Sequence, residues 1–137
     1  FLDTNVLVSA IATRGLCADV LREVFFSHEL IISEYLIREL EDVLAEKFKL
    51  PADIIEEYIW LLHQDTILAD EADPPPIQLK DNTDIPILGA AMLAEADVLV
   101  TGDFELQNLG RVGELLILSP RGFWEYLRAQ HDAPADG

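Results

Sequence analysis

The sequence predicts an α/β fold, a three-layer α/β/α sandwich built around a mostly parallel central sheet, and three observations predict it. Short apolar runs, too brief for helices, alternate along the whole chain with longer stretches of helical spacing. Asp97-Val98-Leu99-Val100-Thr101 is apolar throughout its middle, as in a parallel strand covered on both faces. Acidic residues recur where strands end and helices begin, the edge at which open α/β sheets place their ligands.

Taken in order, Phe1 and Leu2 form a first strand cut short at Asp3. The chain opens without an initiator Met, so a few native residues are expected to precede it. Thr4 or Asn5 starts a helix through Val6, Leu7, Val8 and Ile11; Thr13-Arg14-Gly15 is a loop, and Ala18 to Phe26 is a second helix with Val20, Leu21, Val24 and Phe25 at helical spacing. His28 to Ser33 reads as the second strand. Ser33 is a good N-cap for a helix from Glu34 to about Phe48, with Leu36, Leu40, Val43 and Leu44 inward.

Leu50-Pro51-Ala52 breaks the chain before another amphipathic helix from Asp53 to His63, and Thr66 to Ala69 is a weak third strand. The Pro74-Pro75-Pro76 run requires an extended loop between Glu71 and Pro76. Asp84 caps a helix whose apolar face is Ile87, Leu88, Ala91 and Met92, with Pro86 tolerated in the first turn, where its missing donor has no helical partner. After the Asp97–Thr101 strand come Gly102-Asp103, a short helical turn from Phe104 to Leu109, and a loop from Gly110 to Gly113. Glu114 to Ser119 is the last strand, Pro120 opens a terminal helix carrying Phe123, Trp124 and Leu127, and a frayed tail is expected from about Ala129. A single domain over residues 1–130, with 131–137 as tail, accounts for the length.

The net charge is −17, from 26 acidic and 9 basic side chains, which argues against an extended electrostatic footprint on nucleic acid. It does not argue against a nuclease, because a bound divalent cation inverts the potential of a carboxylate pocket. No apolar run approaches the length of a membrane span or a signal peptide, so a soluble, cytoplasmic protein with no membrane partner is expected. The lone Cys17 is expected to be a small core residue, and His28, His63 and His131 are isolated.

Three acids follow strands or lie on the helices leaving them: Asp3 after the first, Glu39 on the helix after the second, and Asp103 after the fourth. Asp84 begins the helix leading into that fourth strand. In a parallel sheet such positions converge, so four carboxylates would share one pocket. Like charges that close raise one another's pKa unless a cation lies between them, which points to a hard divalent ion held by oxygen, magnesium or manganese. Two such ions about 3.5–4 Å apart would activate a water and stabilise the leaving oxygen of a phosphodiester.

With these residues in view the chain resembles the PIN-domain ribonucleases, and among them the VapC-like toxins of toxin–antitoxin systems. Asp3-Thr4-Asn5-Val6-Leu7 is similar to the opening motif, Ser33 through Glu39-Leu40 to the second, and Asp84 with Val100-Thr101-Gly102-Asp103 to the third and fourth. The resemblance implies a metal-dependent endoribonuclease with Asp3, Glu39, Asp84 and Asp103 as catalytic and metal-binding acids. Asn5 stands beside them and Thr101 shapes the pocket. It also implies an RNA substrate, a cognate antitoxin and a homodimer. Asp81 ranks below Asp84, which alone caps the helix, and Glu34 ranks below Glu39. Arg14 is the candidate contact for a substrate phosphate.

Two other readings compete. A phosphatase of the HAD type also begins with a strand-end Asp, but requires a second Asp two residues on, where this chain has Asn5. A PIN-like fold retained as a non-catalytic binding module is the other. The helices from Glu34 to His63, with Tyr58, Ile59 and Trp60, are the expected partner face.

Overall fold

The computed structural model describes residues 1–64, 66–69 and 84–131, apart from the side chains of residues 84–86 and 131. Asp3 has extended backbone and caps the first helix, α1 (Thr4–Ala12), and Gly15 (φ 143°) lets the chain turn at once into α2 (Leu16–Ser27). Strand β1 (Ile31–Ser33) runs directly into α3 (Glu34–Glu46), because the Ser33 hydroxyl accepts from the Leu36 amide at 3.2 Å. Helix α4 (Ala52–Leu62) follows Pro51, and β2 (Ile67–Ala69) comes next. After the undescribed segment come α5 (Asp84–Leu93), β3 (Val98–Val100), α6 (Phe104–Leu109), β4 (Arg111–Val112), β5 (Leu115–Leu118) and α7 (Pro120–His131).

The fold is α/β, but rich in helix, and among the described residues its strands form two small sheets. β1 pairs in parallel with β2, Ile31 opposite Ile67 and Ser33 opposite Ala69. β3 pairs in parallel with β5, Val98 opposite Leu116, and β4 closes the far edge antiparallel, Val112 opposite Leu115. On the other edge of β3 the expected first strand is reduced to one parallel bridge, Leu2 with Val100. Its backbone is firmly tied there: the Asp3 amide donates to the Val100 carbonyl at 3.0 Å and the Val100 amide to that of Phe1 at 2.9 Å.

Among the described residues, a continuous central parallel sheet is not clearly formed. Every strand is two to four residues long. Among the described residues no ladder joins β1 to the Leu2 bridge, and Ile67 and Leu68 of β2 are about half exposed. The antiparallel β4 lies where a loop was expected. Val112 pairs with Leu115 across the two residues Gly113-Glu114, and Gly113 takes φ 59°, which a hairpin of that length requires.

The core gathers beneath the strand ends. Leu36, Leu40 and Leu44 of α3 are fully buried at helical spacing, against Leu7 of α1, Ile32 of β1 and Leu88 of α5. Each contributes on the order of 1.5–3 kcal/mol by leaving water. Among the described residues no single helix is long and apolar enough to cross a membrane. Cys17 is half-buried near the start of α2, packed against the core. The expected Pro74–Pro76 loop and the 132–137 tail lie outside the described residues, while α7 continues through Ala129 to His131.

Candidate active site

Asp3 is the most constrained carboxylate. Its residue is 3% exposed, its Oδ1 accepts from the Val6 amide at 3.0 Å, and its Oδ2 accepts the hydroxyl proton of Thr101. Thr101, itself fully buried one residue past β3, spends its hydroxyl twice: the same oxygen accepts from the Asp103 amide at 3.0 Å. Asp103 then caps α6, its Oδ1 accepting from the amides of Glu105 (2.7 Å) and Leu106 (3.2 Å). The Gln107 side-chain amide, one turn along α6, donates to the Thr101 carbonyl at 2.8 Å and closes the loop. Two acids 100 residues apart in sequence are therefore held through one buried threonine.

Burial pushes the Asp3 carboxyl above the ordinary carboxylate value, the Thr101 and Val6 donors pull it back, and the charges of Asp103 and Glu39 push it up again. The charges acting on Asp3 are of its own sign, which puts Asp103 and Glu39 each within electrostatic reach of Asp3. Glu39 is half-buried in the second turn of α3, between the buried Leu36 and Leu40. Glu34 is directed elsewhere: it is exposed and its Oε1 lies 3.8 Å from Nε2 of His63 at the end of α4.

Asn5 is exposed in the first turn of α1, and Arg14 is exposed in the loop between α1 and α2. α5 begins at Asp84, but the Asp84 side chain, and with it the cap assigned to it, lies outside the described residues, as does Asp81. His28 packs edge-on against Phe123 with ring centroids 6.2 Å apart, and Nδ1 of His63 lies 2.9 Å from the Ile59 carbonyl oxygen. The His131 side chain also lies outside the described residues.

Two neighbours escaped the sequence. Thr4 is buried and its Oγ1 has no hydrogen-bond partner among the described residues; its position beside Asp3 in a helix start was the only signal. Cys17 is the other. Burial and the charge of Asp3 push its thiol up, and a hydrogen bond with Ser9 opposes them. Nothing in the spacing of Cys17 from Asp3 foretells this, because the approach depends on how α2 packs against α1.

The donor set fits a hard divalent cation in kind. It consists of oxygen atoms, it includes a desolvated carboxyl facing charges of its own sign, and a bound cation would relieve that repulsion. Among the described residues no three His, Cys, Asp or Glu side chains are grouped so as to hold an ion by themselves.

The chain matches the family model of the PIN domain over residues 1–105. That span contains Asp3, Glu39, Asp84 and Asp103, and leaves β4, β5 and α7 beyond it. No curated protein matches the chain.

Proposed function

Because the chain belongs to the PIN-domain family, whose members are generally nucleases, we propose that it is a metal-dependent endoribonuclease that hydrolyses RNA phosphodiesters. The observation that carries this reading is the buried Asp3 carboxyl, fixed by Thr101 and Val6 and pressed by the charges of Asp103 and Glu39. In this reading Asp3, Glu39, Asp84 and Asp103 hold magnesium or manganese. The ion supplies an activated water and neutralises charge at the phosphodiester.

The remaining work falls to the chain. With both oxygens already accepting hydrogen bonds, Asp3 is held in one orientation before any ligand arrives. Thr101 sets the distance between Asp3 and Asp103, Glu39 brings a third carboxylate from α3, and the exposed Arg14 offers its guanidinium to a substrate phosphate. In this reading Asn5 and Asp81 are supporting residues. Residues 1–3 serve as the strand between the two sheets: Leu2 pairs with β3, and Phe1 and Leu2 share a cavity of about 280 Å³ with Ile31 and Ile67.

We further place the protein as the toxin of a cytoplasmic toxin–antitoxin pair, acting as a homodimer and restrained by a cognate antitoxin. The support is the motif resemblance together with the expected partner face: Trp60 is more than half exposed on α4, Tyr58 and Ile59 are half-buried, and Ile59 and Trp60 line a groove of about 640 Å³ between α3 and α4. Co-expression with the adjacent open reading frame, followed by sizing of the complex, tests this part.

The nuclease reading is tested by cleavage of a labelled single-stranded RNA with manganese or magnesium, with EDTA, and with Asp3→Asn. Metal-dependent cleavage lost in the variant is the expected result. The competing reading is a non-catalytic binding module. Absence of both cleavage and manganese binding in the wild type would favour it.

A further inference from the structure

An acidic protein that acts on RNA has an affinity problem. At a net charge of −17, with 9 basic side chains against 26 acidic ones, it repels the phosphate backbone. Uncharged contacts would add to the grip on the strand, and one chemistry available at every nucleotide is the face of its base, which stacks on aromatic side chains without regard to sequence.

Two phenylalanines stand out among the described residues as almost fully exposed: Phe26, 82% exposed, and Phe104, 79%. A single exposed apolar side chain needs no explanation on its own. Their positions separate them. Phe26 lies at the carboxyl end of α2, the end that leads to His28, against Phe123 and away from Cys17 and Asp3. Phe104 follows Asp103 directly, so its Cα is about 3.8 Å from that of a pocket acid.

The backbone at Phe104 is also unusually fixed for so exposed a residue. It is the first residue of α6, its predecessor's carboxylate accepts from the next two amides, and Leu106 and the Gln107 side chain anchor the turn to the core and to the Thr101 carbonyl. A ring kept in water on a rigid base costs little further ordering when it meets a flat partner.

We propose that Phe104 is a stacking platform that holds an unpaired RNA base beside the carboxylate pocket, and so positions the neighbouring phosphodiester. The inference rests on the nuclease reading for its positioning role, but its binding arm is independent of turnover. Phe104 is here a positioning residue, not a catalytic one.

The test uses the full chain and a fluorescently labelled RNA nonamer, with and without a central abasic nucleotide, in calcium. Wild type and Phe104→Trp are expected to bind the intact strand, with Phe104→Ala weaker by about 5- to 100-fold and the abasic strand weakened only for proteins that keep the ring. RNA should quench the added indole of Phe104→Trp beyond the signal of the native Trp60 and Trp124. Phe26→Ala is the surface control and should bind as wild type. Equal binding by wild type and Phe104→Ala, or no binding by wild type, overturns the proposal.

Cleavage assays with magnesium separate this from the nuclease reading. A raised KM with retained kcat in Phe104→Ala supports the platform. Cleavage with unchanged KM overturns the platform alone, whereas Phe104-dependent binding without cleavage by wild type overturns the nuclease reading alone.

Discussion

The two sides of the proposed carboxylate site are built differently. At the strand ends, Asp3 and Asp103 are joined through Thr101 by hydrogen bonds that all lie within the protein. On the helix side, Glu39 owes its place to the buried leucines that flank it, Leu36 and Leu40, while the residue itself is only half-buried. The strand-end half is therefore formed in advance and bears an electrostatic cost when no cation is present. The helix half carries a carboxylate on a pinned backbone with a freer side chain. Preorganisation and desolvation come together, and the pocket has put both on one side.

The largest effect that tests this contrast is loss of activity. Asp3→Asn should lower kcat by more than the roughly 10- to 100-fold typical of residues behind a metal ligand, and Glu39→Gln should do likewise, as measured on a labelled RNA. Stability should divide the two. The folded Asp3 carboxyl is raised above its ordinary value, so its contribution to stability is fully present below the unfolded value and is lost as pH rises through the raised folded one. In EDTA the melting temperature of Asp3→Asn minus that of wild type should therefore grow as pH climbs from about 4, and manganese should narrow the gap. A gap that does not change with pH would break the contrast.

Second in size is Thr101→Val, which keeps shape and removes the hydroxyl serving both strand-end acids. Stranding a buried acceptor and a donor should cost about 1–3 kcal/mol in denaturant unfolding. The Thr101 bond lowers the Asp3 pKa, so its removal should also move the acidic limb of the pH–rate profile to higher pH. A stability loss without that displacement would make Thr101 a packing residue only.

The helix caps of Asp3 and Asp103 were legible because capping is local. Asp3 and Asp103 each precede a helix whose first amides they accept, and the sequence signal for that is a polar residue ahead of an apolar periodic run. The position of Glu39 in the second turn of a helix capped by Ser33 was legible, and Glu34 in the first turn is exposed beside His63. What depended on packing between elements was not legible. The approach of Cys17 to Asp3 follows from the α1–α2 contact, and the separation into two sheets follows from strands too short to extend a ladder. The β4 strand had only two residues between glycines, a pattern that a loop satisfies equally well.

The strand-end half can be divided further at Asp103. Its carboxylate both caps α6 and faces Asp3, and the two roles respond to different replacements. Asp103→Asn retains a cap acceptor and should unfold within a few tenths of a kcal/mol of wild type, while Asp103→Ala should lose about 1 kcal/mol. Both should lose cleavage and weaken manganese binding measured by titration calorimetry. If Asn retained the metal as wild type does, Asp103 would belong to the scaffold rather than to the pocket.

The smallest effect belongs to Glu34→Gln. Its partner His63 is charged only when protonated, both side chains are well exposed, and their atoms are 3.8 Å apart, so the pair gains little over water. Replacement should change unfolding free energy by less than about 0.5 kcal/mol and leave cleavage untouched at every pH. The value of so small an effect lies in the contrast with Glu39, five residues along the same helix. Equal losses from the two replacements would mean that α3 presents charge to the substrate as a whole face, and the assignment of a single helix-borne carboxylate would fail.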